Sequence, residues 1–130
     1  MKTYWSIAKE DFEEAKFLKQ SKRWRSSVYF YQQFAEKGAK ALLERIDPYS
    51  KKLKSHRIED ILTEYDEQHC VSEVGDWGRY LSNFYFNTRY PGDDYADVRE
   101  IQVDKADDYA NKLMSFYQNE HKKLDEIEEG

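Results

Sequence analysis

Apolar positions recur at steps of three and four along most of the chain, the signature of amphipathic helices. Across residues 4–19, Tyr4, Ala8, Phe12 (or Asp11), Ala15 and Leu18 share one face, with Thr3 placed to cap the N-terminus. A polar turn, Gln20-Ser21-Lys22-Arg23, leads into the most clearly patterned segment. Over Trp24–Ile46, one stripe runs through Trp24, Val28, Tyr31, Ala35, Gly38, Leu42 and Ile46, and a second through Phe30, Phe34 and Ala41. A face this wide predicts the central helix of a bundle. Gly38 costs about 1 kcal/mol of helix propensity against Ala, which predicts close approach of a neighbouring helix as compensation. Asp47-Pro48 stops the helix, because a residue before Pro avoids the α region.

Residues 49–54 read as a basic loop, and Ser55 as the N-cap of a short third helix carrying Ile58, Ile61, Leu62 and Tyr65. A fourth helix is predicted over residues 72–87, with Val74, Trp77, Leu81 and Phe84 or Tyr85 turned inward. The polar stretch 88–94, with Pro91 and Gly92, breaks it. A last long helix is expected from near Asp104, carrying Ala106, Ala110, Leu113, Tyr117 and Leu124, with a charged end at 122–130 that frays. No segment alternates as a strand does. The chain therefore reads as one all-α domain, residues 1–130, an antiparallel up-and-down bundle of four to five helices. The second and last long helices are expected to pack antiparallel.

Composition narrows the class. At 130 residues the chain suffices for one core without disulfide or metal. Charged residues make up 36%, which suits long helices with solvated outer faces, while 16% aromatics argue against disorder. The net charge of −5 opposes extensive nucleic-acid binding, which needs many phosphate-neutralising side chains. The single Cys70 excludes an internal disulfide. With no apolar signal region and no run of about 18 apolar residues, the expectation is a soluble, cytoplasmic protein without membrane contact.

The run from Tyr29 to Leu43, with Gln32-Gln33, Ala35-Glu36-Lys37 and Lys40-Ala41-Leu42, resembles the second helix of HEPN domains (higher eukaryotes and prokaryotes nucleotide-binding). Trp5 with Ala8, Asp11 and Ala15 is similar to that family's first helix, Ser55-His56 to the start of its third, and Thr88-Arg89-Tyr90-Pro91 to the Arg-Tyr-Pro segment after its fourth. These motifs follow in order over nearly the whole chain. One departure is Gly92, which stands where many relatives carry Asp and moves the acid to Asp93. A second concerns the ribonucleases of the family, many of them toxins, which carry Arg, four to six residues, then His. Here ten residues intervene between Arg45 and His56, eleven between Arg57 and His69, and twenty-one between Arg99 and His121. Nuclease activity is therefore not carried over, and no catalytic residue is assigned.

Each candidate for ligand contact has a second reading. Arg89 supplies a planar donor fork for phosphate or carboxylate and Tyr90 a stacking ring, or the pair forms a helix stop with Arg89 at the negative end of the dipole. His56, after a capping Ser, can donate to an anion at a helix N-terminus or complete a local hydrogen bond. Lys37 adjoins the apolar stripe and can face phosphate, while Glu36, Lys40 and Glu44 stand at ion-pair spacing as surface bridges. The predicted ligand set is Arg89, Tyr90, His56, Lys37 and Tyr85. Lys51, Lys52, Lys54 and Arg57 read as a solvated basic loop, and His121 as a rim residue. His69-Cys70 has no second pair at metal-ligand spacing.

The reading favoured is a binding module rather than an enzyme, taking a nucleotide or other phosphorylated ligand. The wide apolar faces and the aromatic excess predict a homodimer, and the resemblance implies that it helps a separate nucleotidyltransferase. No cofactor or metal is expected. Two alternatives stand beside it: a divergent, toxin-like ribonuclease using Arg89 and His56, and a pure protein–protein interaction module.

Overall fold

The computed structural model describes residues 1–68, 72–87 and 97–130. Helix α1 spans Tyr4–Gln20, α2 Trp24–Ile46, α3 Ile58–Tyr65, α4 Glu73–Ser82, α5 Phe84–Asn87 and α6 Glu100–Glu129, with a 3-10 turn η1 at Lys51–Lys54. Among the described residues there is no strand. The bundle is all-α, as the periodicity requires. The expected break at 88–94, with Arg89 and Tyr90, and the His69-Cys70 pair lie outside the described residues.

Local signals act where the sequence places them, with several shifts. Thr3 caps α1 through a hydrogen bond from the Ser6 N–H, reciprocated by Ser6 Oγ. Ser55 does not cap α3. It accepts from the Arg57 N–H at 3.0 Å, and α3 begins three residues later. The orphan N–H of Ile58 donates instead to Ser82 Oγ on α4, at 2.9 Å. The basic loop closes into η1, the fourth helix divides at Asn83, and the last helix begins at Glu100 and holds to Glu129.

Helix α2 is the hub. Val28, Tyr31, Phe34, Ala35, Ala39, Leu42 and Leu43 are all fully buried, against Ala8, Phe12 and Ala15 of α1, Ile58, Ile61 and Leu62 of α3, and Val103, Ala106, Ala110, Leu113 and Tyr117 of α6. Ser27 Oγ ties α2 to α1 by donating to the Ala15 carbonyl at 2.8 Å. Gly38 has the role expected of it: the Tyr117 ring lies against it, where a Cβ would overlap the aromatic carbons, and the Tyr117 hydroxyl donates to the Ala35 carbonyl at 2.6 Å.

The direction of α6 corrects the expected topology. Tyr31 meets Asp107, Ala35 meets Tyr117, and Arg45 meets His121 and Asp125. The two sequences advance together, so α2 and α6 run parallel. The physical cause is the segment 47–57, which returns the chain alongside α2 from its end to the level of Glu36, where His56 sits. Helix α3 then repeats the direction of α2, and the antiparallel alternation resumes through α4, whose Tyr80 meets Gln102. Helix α1 is antiparallel to α6, with Trp5 near His121 and Lys16 near Asp107.

Leu42→Ala should destabilise the protein by about 2–5 kcal/mol, since the side chain is enclosed on all sides. Gly38→Ala should also destabilise it, by about 1–3 kcal/mol, because the overlap with a ring held by its own hydrogen bond outweighs the gain in propensity. Urea unfolding followed by circular dichroism checks both; a Gly38→Ala protein as stable as the parent would contradict the close approach.

Candidate functional site

One row of α2 is polar at its centre. Val28 and Leu43 end it, and Gln32, Glu36 and Lys40 fill it at steps of four. Because α2 is covered on nearly every side, these groups are buried rather than solvated, Glu36 being 5% exposed and Lys40 6%. The surface ion pair expected of Glu36 and Lys40 is thus an interior one: Lys40 Nζ stands 3.1 Å from Glu36 Oε2. The remaining acceptor capacity of Glu36 is used by the Gln32 amide at 3.0 Å and by Nδ1 of His56, 3.3 and 3.4 Å from the two carboxylate oxygens. Gln33 extends the chain by donating to Gln32 Oε1.

His56 arrives from the segment preceding α3. Its ring stacks on Tyr85 of α5, with centroids 4.4 Å apart and planes 13° from parallel. Tyr85 is buried, while the His56 side chain remains half exposed. The pair forms the wall of an open cleft of about 680 Å³, bordered also by Arg57 and Glu59 of the α3 start and by Arg79, Ser82 and Asn83 of α4 and its end. Ser82 Oγ donates to Glu59 Oε2 at 3.0 Å while accepting from Ile58, which fixes the start of α3 against the end of α4. Gly78 permits this contact, since a Cβ there would sit 3.0 Å from Ile58 Cγ2. Arg79 is held by Asp76 at 2.7 Å and keeps its guanidinium at the cleft rim.

Of the residues expected from sequence, the fold brings His56 and Tyr85 into direct contact. Lys37 is placed elsewhere. Its ammonium is committed to Asp11 of α1, at 3.2 Å, and to Gln33 Oε1, at 2.8 Å. It is absent from the cleft lining. Arg57 moves the other way, from solvated loop to cleft wall. Glu36, Glu59, Arg79, Ser82 and Asn83 were not expected. A usable signal existed for Glu36 alone: a polar row flanked by apolar positions on a helix already read as central cannot all face water.

Two further polar clusters tie the helices together away from the cleft. Asp107 accepts from the Tyr31 hydroxyl and from Lys16 Nζ. Burial alone would raise its carboxyl, but these donors and the nearby Lys19 hold it below the ordinary range. At the other end of α6, His121 packs on Trp5, with centroids 4.6 Å apart, and its Nδ1 faces Arg45 at 3.0 Å. Its Nε2 is buried with no hydrogen-bond partner among the described residues. Burial, reinforced by the Arg45 charge, pushes the imidazole below its ordinary value.

The family profile of the HEPN domain matches residues 1–121. The chain belongs to the HEPN family. Two solved structures share the fold. TT1696 from Thermus thermophilus is 21% identical, with a TM-score of 0.77 over 90% of this chain and 94% of its own. ST0689, an archaeal HEPN homologue, is 23% identical, with a TM-score of 0.71 over 92% of this chain and 98% of its own. No curated protein matches the chain. Within this HEPN domain, no described helix is long and apolar enough to cross a membrane.

Removing one member of the Glu36–Lys40 pair should be costly. Lys40→Met alone strands a buried carboxylate and should lose about 3–5 kcal/mol, whereas Glu36→Leu combined with Lys40→Met should recover most of that loss. Equilibrium unfolding of the two variants measures the difference.

His121 should make stability depend on pH. The unfolded chain takes up its proton near 6.5, the folded protein only below that. The stability contributed by the neutral ring is therefore complete above 6.5 and declines as pH falls from there through the lowered folded value. His121→Gln should flatten this decline in a series of unfolding curves. An unchanged slope would remove His121 as its source.

Proposed function

We propose that this HEPN domain binds a nucleotide or other phosphorylated ligand in the cleft between the start of α3 and the end of α4. The observation that carries the reading is the His56–Tyr85 stack at the edge of that cleft. Tyr85 covers one face of the imidazole, and the half-exposed His56 side chain lines the cleft, so in this proposal a nucleobase extends the stack. The cleft, at about 680 Å³, has the size of a small-ligand site rather than of a lone-anion site. Arg57 and Arg79 supply guanidinium donors at its border, suited to phosphate oxygens. The N-terminus of α3, with Arg57 at its cap, adds the positive end of a helix dipole.

Arg89 and Tyr90 follow Tyr85 by only four and five positions in the chain, and in this proposal they complete the phosphate and base contacts. The wider role proposed is that of a homodimeric helper beside a separate nucleotidyltransferase, which family membership supports.

Calorimetric titration with AMP and ATP tests the cleft. Saturable binding is expected, weakened by about 1–3 kcal/mol in His56→Ala through loss of stacking and by about 1.5–3 kcal/mol in Arg57→Ala through loss of charge-assisted bonds. Affinities equal to the parent in both variants, or no binding by the parent, would remove this site. Sedimentation equilibrium, expected to give a dimer, tests the assembly.

A further inference from the structure

The least expected feature of the cleft wall lies behind it, in the charged group of the core that touches His56. Glu36 is enclosed, and its oxygens face three groups: the Lys40 ammonium, the Gln32 amide and Nδ1 of His56. Lys40 and the amide nitrogen of Gln32 are donors only, so the carboxylate meeting them is an acceptor. An ionised carboxylate has no proton to offer an imidazole nitrogen. The nitrogen facing it must then carry the hydrogen. Among the described residues no other group competes for that edge, since Tyr85 touches the face of the ring and not its rim.

We infer that Glu36 is the positioning residue of His56, fixing the neutral ring as its Nδ1–H tautomer and leaving Nε2 as a hydrogen-bond acceptor at the cleft. This goes with the proposed ligand site and sharpens what that site selects. A ring so held takes a donor from its ligand, a ribose hydroxyl or an exocyclic amine, at Nε2. Phosphate oxygens, which need donors, fall to Arg57 and Arg79. The division of labour follows from the core and not from the cleft itself: Lys40 pairs with Glu36, Glu36 meets Nδ1, and Tyr85 sets the ring plane. The arrangement matches that of histidines whose second nitrogen is fixed by a carboxylate so that the first has one defined role.

The tautomer is directly observable. In the full chain, long-range nitrogen–proton correlation spectra of the His56 imidazole, recorded at alkaline pH, should show protonated Nδ1 and unprotonated Nε2. Glu36→Leu with Lys40→Met removes the carboxylate and its counter-charge together, and in that variant the ring should revert to the Nε2–H form that an unconstrained imidazole prefers. AMP affinity should fall about threefold to tenfold in the same variant, the effect of one misdirected hydrogen bond. An Nε2–H ring in the parent protein overturns the inference by itself, whether or not the double variant folds. A ring that stays Nδ1–H without Glu36 overturns it too. If the tautomer switches as expected but the parent binds no nucleotide, the positioning role stands and the ligand proposal fails.

Discussion

The close contact of α2 with α6 at Gly38 is the constraint on which the rest of the bundle depends. A ring packed onto a bare backbone lets the two helices approach until the Tyr117 hydroxyl reaches the Ala35 carbonyl. That approach encloses Leu42, Leu113 and Ala110 between them. It also fixes the rotation of α2 about its axis. Once Gly38 and Ala35 face α6, Phe34 faces Phe12 of α1, and the row containing Glu36 faces the segment that leads into α3. The position of the polar site is therefore a consequence of where one glycine sits.

Running α2 and α6 parallel has its own consequence. A strict up-and-down bundle would place the start of α3 near the end of α2, beside Ile46. The return of residues 47–57 instead carries His56 back to the middle of α2. The cleft thus opens beside the buried part of the central helix, where a charged pair can be sheltered, and not at its solvated end. A buried Glu–Lys pair contributes little net stability against an apolar replacement. Here the pair contacts the half-exposed His56 beside the cleft.

The same economy of means appears at α3. Its first N–H is capped by a serine from another helix, Ser82, which also donates to Glu59. Ile58 and the cleft-lining Glu59 are thereby tied by one hydroxyl, which couples the start of α3 to α4. A cleft wall built this way is held by the packing of helices, which is more rigid than a loop.

The sequence by itself determined the helices and most of the core. The stripe through Val28, Tyr31, Ala35 and Leu42 and the cap at Thr3 are set by contacts three and four residues apart, so they are legible without a fold. It also brought His56 and Tyr85 forward as candidates, and the motifs that mark the family. Only the tertiary structure decided the direction of α6, the cap of Ile58, the burial of Glu36 and Lys40 and the withdrawal of Lys37 to Asp11. Each of these depends on a partner that is distant in the chain. An i, i+4 Glu–Lys pair reads identically in sequence whether water or a neighbouring helix lies over it, and it is the packing of α2 inside the bundle that turns it from a surface bridge into the support of a histidine.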